Sequence, residues 1–296
     1  MTIFKFNKLY IIESLCPDNI SDGYNTPNIN LSKCLDSLQK QERLCFFKYE
    51  LIQIHKGFEQ FKSTIEMICA ECTNGIFPII HFLGHGSQGG GIYLWNEDKH
   101  DDEMLAWKEL YTQLALVNSS CHNNLFFTTT ACHGFDSYRE LFADEVSTIP
   151  FVGIIAIDPD ESFYVHDADI VFCTFYKVLL ETMSVNDAIE AVHSQEKNMY
   201  GKIPYMAFSD DTFRHVYPKA QEQSYKITNI ERLVNIVAKQ LNLSPKTKEK
   251  TLNDFLKEVD KHKQEDYIRI RDKKFLFDDP LVNKARFNLP DCVEEL

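Results

Sequence analysis

Apolar residues along the chain fall into two textures: short, nearly continuous runs, and stretches in which they recur at every third or fourth position. The first texture predicts buried strands and the second amphipathic helices. Leu9–Leu15 reads as a first strand, and the polar stretch Pro17–Asn30, bearing Asn, Asp, Gly and Pro, reads as a long loop. Leu31–Gln39 reads as a helix, Cys45–Ile52 as a strand, and Phe58–Cys72 as an amphipathic helix through Phe58, Phe61, Ile65, Ile68 and Cys69. Ile76–Leu83 has the length and β-branched content of a strand covered on both faces. The pattern then predicts a short strand over Gly89–Trp95, a helix over Glu103–Val117, a strand over Leu125–Ala131 and a helix over Ser137–Val146. A strand over Phe151–Ile157 follows, then helices over Ala168–Glu181 and Ser184–Ser194 and a last strand over Tyr205–Ser209. Ser184 is the expected N-cap of its helix, with Asp187 three residues on.

Strand and helix alternate, which predicts an α/β fold: a mainly parallel sheet with helices on both faces. In such sheets, sites form at the C-terminal ends of the strands. After residue 220 the strand texture stops, and Ile227–Leu241 and Lys248–Lys263 read as charged helices. The expected organisation is an α/β domain over 1–220 and a helical extension over 221–296.

No apolar run approaches the ~20 residues a membrane helix needs. The apolar stretches of the N-terminus are too short and interrupted for a signal peptide, so a cytoplasmic, soluble protein is expected. The net charge of −13 is unevenly placed: residues 221–296 hold 15 Lys and Arg against 14 Asp and Glu, leaving −14 for residues 1–220. Such a surface repels phosphate backbones, so no nucleic-acid partner is expected. The nine cysteines, an odd number without a secretory signal, read as reduced thiols.

Several motif readings fail on context. Gly84-His85-Gly86-Ser87-Gln88-Gly89 matches GxGxxG, but its third glycine opens a strand-like segment rather than a helix, against a dinucleotide site. No Lys-Ser/Thr follows the glycines, so there is no P-loop, and Ser87 has His85, not Gly, two residues before it, against a hydrolase elbow. His81 and His85 stand about 13 Å apart if both lie on one strand, too far to share an ion. His81 reads as a hydrogen-bonded core histidine. Cys69-Ala-Glu-Cys72 lies in a helical pattern without a second cysteine pair at zinc spacing. No metal site and no cofactor are expected.

Two strand ends remain. His85 lies between glycines after one buried strand, and Cys132 lies after another in Ala131-Cys132-His133-Gly134, 47 residues later. Parallel strands end on one edge, so the two can meet. A thiolate is a nucleophile that a neighbouring imidazole can generate or stabilise. Gly86, without a side chain, can bring its N–H to a developing oxyanion, with the Cys132 N–H as second donor.

The strings HFLGHGSQGGGIYL and FTTTACHGFDSY resemble the CHAT-type cysteine peptidases, relatives of caspases and separase. In caspases, too, an Ala-Cys-x-Gly core follows its histidine by about 50 residues, though Thr130 stands here where they have Gln. The later segment FVGIIAIDPDESFYVHDADIVFCTFYKVLLETMSVNDAIEAVHS resembles the family's next strand, loop and helix pair, so the likeness spans roughly residues 5–210. It implies a caspase-like α/β/α sandwich and endopeptidase chemistry, with His85 as general base or imidazolium, Cys132 as nucleophile and Gly86 as oxyanion donor. A third catalytic side chain is often dispensable in these relatives, and none is assigned. His133 after the nucleophile, the lack of tetratricopeptide repeats and the C-terminal extension depart from the family pattern.

The resemblance further implies a dedicated protein substrate, an activating partner protein, and a setting in stress, immunity or cell death. Asp158, Asp160 and Glu161, after the strand beside that of Cys132, are candidates to bind a basic side chain preceding the scissile bond; a solvated acidic loop is the alternative. Two other functions compete: a catalytically silent module that binds a partner through the same groove, and a metal-dependent hydrolase, which the absence of a carboxylate/histidine cluster disfavours.

Overall fold

The computed structural model describes residues 5–16, 27–40, 46–134, 148–157, 164–201 and 203–210, then 213–214, 217, 245–275, 280–287 and 289–291. The chain divides into two compact units, one running to Ser209 and the other from Asp210 onward.

The first unit is an α/β sandwich. In chain order its elements are β1 (Lys8–Ser14), α1 (Pro27–Gln39), β2 (Lys48–Gln53), α2 (Gly57–Cys72), β3 (Pro78–Gly84), β4 (Gly91–Asn96), β5 (Asp101–Ala106), α3 (Trp107–Ser120), β6 (Phe126–Thr129), β7 (Gly153–Ala156), α4 (Val165–Thr182), α5 (Val185–His193) and β8 (Tyr205–Phe208). Six strands form one sheet in the order β2-β1-β3-β6-β7-β8, parallel except for the antiparallel pair of β7 and β8. The continuous apolar runs of β1 and β3 follow from cover on both faces. Tyr10 and Ile12 of β1 and Ile80 and Phe82 of β3 join Phe61 and Ile65 of α2 and Leu110 of α3 in one core. Their neighbours Leu9, Ile11, Ile79 and Leu83 join Leu31 and Leu35 of α1 and Phe172 and Phe175 of α4 in the other. Each fully buried Leu, Ile or Phe contributes roughly 1.5–3 kcal/mol, so both helical layers are held by the same strands.

Two elements differ from the sequence expectation. The first helix begins at Pro27, inside the expected loop. Proline has no N–H to lose in a first turn and its fixed φ suits a helix start. The expected helix over Glu103–Val117 is two elements: Asp101–Ala106 is β5, and α3 starts only at Trp107. β5 pairs antiparallel with β4 as a separate two-stranded sheet, matching Ile92 to Leu105 and Leu94 to Glu103. Acidic residues are poor strand formers; here the pairing with Gly91–Asn96 overrides that preference. Glu103 is tied down besides, accepting from the Phe58 N–H at 2.7 Å, Asn96 Nδ2 at 2.9 Å and Lys99 Nζ at 2.6 Å. The N-cap expected at Ser184 is present, its hydroxyl accepting from the Asp187 N–H at 3.2 Å. The helix expected over 137–146 lies outside the described residues, as does that over 227–241.

In the second unit the described regular elements are helices, α6 (Pro245–Lys274) and α7 (Pro280–Phe287). Its core is aromatic: Phe213 stacks on Tyr267 at 5.9 Å and packs against Phe275, which meets Phe287 edge-on at 5.3 Å. Arg271, nearly buried on α6, donates to the Pro290 carbonyl at 2.8 Å and pairs with Asp291 at 3.0 Å. No helix among the described residues is long and apolar enough to cross a membrane.

Candidate active site

β3 and β6 are neighbours in the sheet, in a register that pairs Ile79 with Phe126, Ile80 with Phe127, His81 with Thr128 and Phe82 with Thr129. The ladder runs one bond further, from the Thr130 N–H to the Phe82 carbonyl at 3.0 Å. The separation of 47 residues between His85 and Cys132 is therefore the register offset of the two strands, the same as between His81 and Thr128. Each residue stands four positions beyond a directly paired one. Both segments leave the sheet at the same edge, the C-terminal edge of the parallel strands.

Beyond β3 the chain makes one further antiparallel contact, Gly86 with Ile92 of β4. The bonds that flank it run from the Ser87 N–H to the Gly91 carbonyl at 2.9 Å and from the Tyr93 N–H to the His85 carbonyl at 3.0 Å. Gly86 thus occupies the non-hydrogen-bonded position, where a residue's own N–H and C=O point away from the partner strand. A Cβ on Gly86 would collide with the Cys132 carbonyl oxygen and lie 3.0 Å from the Ala131 Cβ. Only glycine admits this approach, which sets the His85–Gly86 and Ala131–Cys132 segments side by side. Neither the Gly86 N–H nor the Cys132 N–H donates to an acceptor among the described residues.

The turn after β6 is built for the same closeness. The Gly134 N–H bonds the Ala131 carbonyl at 3.2 Å, and His133 between them holds a left-handed φ of 61°. A Cβ on Gly134 would sit 2.8 Å from Thr129 Cγ2 and 3.2 Å from the Ala156 Cβ. Both glycines of the two motifs therefore have a steric reason: one lets the segments touch, the other folds the Cys132 turn onto the ends of β6 and β7. Cys132 is half-buried and His85 exposed, so the rim is open to a ligand.

One turn of sequence below the rim, His81 is fully buried on the α4 side. Its Nδ1 lies 2.6 Å from Thr128 Oγ1 and 3.2 Å from the Tyr176 hydroxyl of α4, and those two hydroxyls are 2.8 Å apart. Its ring meets Phe172 edge-on at 4.3 Å. Burial pushes the His81 imidazole down to about 3, so it is neutral at physiological pH. The expected core histidine is what the structure holds, with Nε2 lacking a hydrogen-bond partner among the described residues. His81 is sealed inside the fold and His85 is exposed just past the strand end, so the two differ in surroundings.

Asp102 is the residue that sequence reasoning missed. It lies in β5, opposite Trp95 in the register, on the hairpin whose inner strand carries the His85 contact. Desolvation raises its carboxyl above the usual range, with the His85 imidazolium pulling the other way and Asp101 adding repulsion. The signal was hidden because Asp101 and Asp102 read as loop residues before a helix. The hairpin is locked in turn by Trp107, whose backbone N–H bonds the Gly90 carbonyl at 3.1 Å and whose Nε1 bonds the Ser87 carbonyl at 3.3 Å.

Asp158, Asp160 and Glu161 lie outside the described residues; the chain is described up to Ile157, at the end of β7. Cys69 and Cys72 are both on α2, and no group of three or more His, Cys, Asp or Glu that could hold a metal occurs among the described residues.

No family model matches the chain, and no curated protein matches it. Among solved structures it is similar to caspase-1 from Spodoptera frugiperda, with 15% sequence identity and a TM-score of 0.46, over 71% of this chain and 89% of that one.

Proposed function

We propose that this chain is a caspase-like cysteine endopeptidase of the CHAT type, acting through Cys132 and His85 on a dedicated protein substrate. The observation that carries the reading is the packing of Gly86 against the Cys132 backbone, with neither amide N–H given to an acceptor among the described residues, at the edge where the two parallel strands end. His85 takes the Cys132 proton, and the thiolate attacks the peptide carbonyl. The carbon–sulfur bond forms as the carbonyl oxygen becomes an oxyanion, which the Gly86 and Cys132 N–H groups receive. The imidazolium gives its proton to the departing amine, leaving a thioester. Water, deprotonated by His85, attacks the thioester and releases the acid and the thiol. Asp158, Asp160 and Glu161 bind a basic side chain before the scissile bond. An activating partner protein and a cytoplasmic setting complete the proposal, with no part for nucleic acid.

Mass spectrometry of new protein N-termini tests it, comparing a lysate exposed to the wild-type chain with lysates exposed to Cys132→Ala and His85→Ala. The expected result is a small set of cleavages, after Lys or Arg, present only with the wild type. Identical termini in all three samples, with the wild type folded and its Cys132 labelled by iodoacetamide no faster than the other thiols, overturn the peptidase reading. That outcome leaves the silent binding module. Cleavage after Leu, Met or Asp that Asp158→Ala does not change overturns only the basic pocket.

A further inference from the structure

Apart from Cys132, the described cysteines include two pairs that bridge neighbouring helices, one on each face of the sheet. On the first, Cys34 of α1 donates its thiol to the Cys173 carbonyl of α4 at 3.8 Å and is in hydrogen-bond contact with the Cys173 thiol. On the second, Cys72 of α2 meets the thiol of Cys121, just after α3. All four are free thiols. The pairs differ in access. Cys34 and Cys173 are half-exposed, whereas Cys72 and Cys121 are only 4% and 0% exposed.

The helices of the first pair cannot drift apart, because Leu31 and Leu35 of α1 share one core with Ala168, Phe172 and Phe175 of α4. The two sulfurs are thus presented to each other from packed, regular elements 139 residues apart in sequence. We propose that Cys34 and Cys173 form an oxidative modification site, in which hydrogen peroxide converts the dithiol to a disulfide that ties α1 to α4. The inference stands independently of the peptidase reading.

Cys34 is the attacking sulfur. The hydrogen bond from Cys173 pulls its thiol down to about 7, against partial burial, and exposed Lys177 adds to the effect while Glu181 opposes it. Cys173, facing a developing thiolate, is pushed up and keeps its proton. The Cys34 thiolate attacks one peroxide oxygen; the O–O bond breaks, hydroxide leaves and is protonated to water, and Cys34 becomes a sulfenic acid. The Cys173 sulfur then attacks the Cys34 sulfur. An S–S bond forms, the S–O bond breaks, and the departing hydroxide leaves as water with the Cys173 proton. Two thiols and one peroxide give one disulfide and two waters. Burial raises the Cys121 thiol well above the ordinary range and keeps oxidant away, so the second pair is an internal control.

The bridge fixes α4, which also carries Tyr176, the hydroxyl that meets His81 and Thr128 in the two strands leading to the rim.

The test is graded hydrogen peroxide on the full-length chain, followed by alkylation and non-reducing peptide mapping by mass spectrometry, with wild type and Cys132→Ala in parallel. A Cys34–Cys173 crosslink is expected in both, forming at least ten times faster than any Cys72–Cys121 link and reversed by dithiothreitol. Cys34→Ser leaves Cys173 reduced, and Cys173→Ser accumulates a Cys34 sulfenic acid that dimedone traps. The proposal is overturned if Cys34 and Cys173 stay reduced in Cys132→Ala while Cys69 or Cys16 oxidises, or if Cys34 runs to sulfinic acid with Cys173 untouched. Because the readout is the crosslink, a chain that cleaves nothing can still bear the inference out, and an active peptidase can still fail it.

Discussion

Two histidines stand four residues apart on the same strand and its continuation, and they have opposite surroundings. His81 is wholly buried, bonded through Nδ1 to Thr128 and Tyr176, and pushed down to about 3 by desolvation. His85 is exposed at the strand end, beside a backbone in which the Gly86 and Cys132 amides donate to no acceptor among the described residues. Across the pairing, Thr128 and Cys132 repeat the contrast, one saturated with hydrogen bonds and the other in an open turn. The same register sets both levels. What separates a structural node from a reactive rim is therefore the supply of partners and solvent, not residue type. The lower level turns its two hydroxyls and the His81 Nδ1 on each other, and the upper level holds two amides that meet no acceptor among the described residues.

Breaking each level separately sharpens this contrast most. His85→Ala removes the base at the rim and is expected to lower turnover by about 10²- to 10⁴-fold with the thermal unfolding midpoint unchanged. Thr128→Val keeps the shape of the lower level but takes the hydroxyl from both His81 and Tyr176, and is expected to cost about 1–3 kcal/mol of stability. Urea unfolding and steady-state kinetics on the two variants read the two effects. If Thr128→Val destabilises by less than measurement error, the buried polar node is not a fastening.

Gly86→Ala comes next. The added methyl meets the Cys132 carbonyl and must push the two segments apart. Loss of one oxyanion donor from its place lowers kcat by about 10²- to 10³-fold. Gly89→Ala is the comparison, since it lies in the same loop with open space at its Cβ position; its φ of 62° makes it strained but free of collision. Equal losses in the two variants would show that loop strain, rather than contact with Cys132, governs the rim.

Much of this arrangement is legible in the sequence, and the reasons are physical. Strands buried on both faces write themselves as apolar runs, so IFPIIHFL and LFFTTTA locate β3 and β6 and hence the two strand ends. The glycines of His-Gly and Cys-x-Gly carry steric information that needs no structure to notice, only one to explain. Tertiary pairing is what stays hidden. Asp101 and Asp102 read as loop and Glu103–Ala106 as a helix start, yet all six residues form a strand because β4 offers them a partner. Asp102 therefore appears near His85 only when the hairpin is seen. The contact of Cys34 with Cys173 spans 139 residues and follows from helix packing, which has no sequence periodicity of its own. Pro27 shows a smaller limit, a turn-forming residue that opens a helix instead.

The lower level also has a pH signature that the rim lacks. Unfolded, His81 titrates near 6.5; folded, it titrates near 3. Between those values the unfolded chain binds a proton that the folded chain refuses. Its effect is thus absent above pH 6.5, and stability falls by about 1.4 kcal/mol per pH unit as the pH drops toward 3. His81→Leu has no such proton to bind, so the difference between its urea-unfolding free energy and the wild type's is expected to change at that slope below pH 6.5. A constant difference across pH 7 to 4.5 would mean that His81 is protonated in the folded chain, and the description of a sealed lower level would fail.

The smallest expected effect tests whether stability and rim chemistry are separable at all. Ser184 caps α5 far from the rim in sequence, its hydroxyl accepting from the Asp187 N–H at 3.2 Å. Ser184→Ala removes one cap and is expected to cost about 1 kcal/mol. α5 packs through Val185, Ala188 and Val192 into the same core as α4, so the loss is felt by the layer that holds Tyr176. Iodoacetamide labelling of Cys132 under native conditions is nevertheless expected to keep its wild-type rate, because the contacts that shape the rim are backbone contacts among β3, β4 and the Cys132 turn. A parallel shift in labelling rate and unfolding free energy would show that Cys132 reacts through global opening. The rim would then owe its reactivity to the fold's fluctuations rather than to its own geometry, and the distinction between the two levels would be one of depth alone.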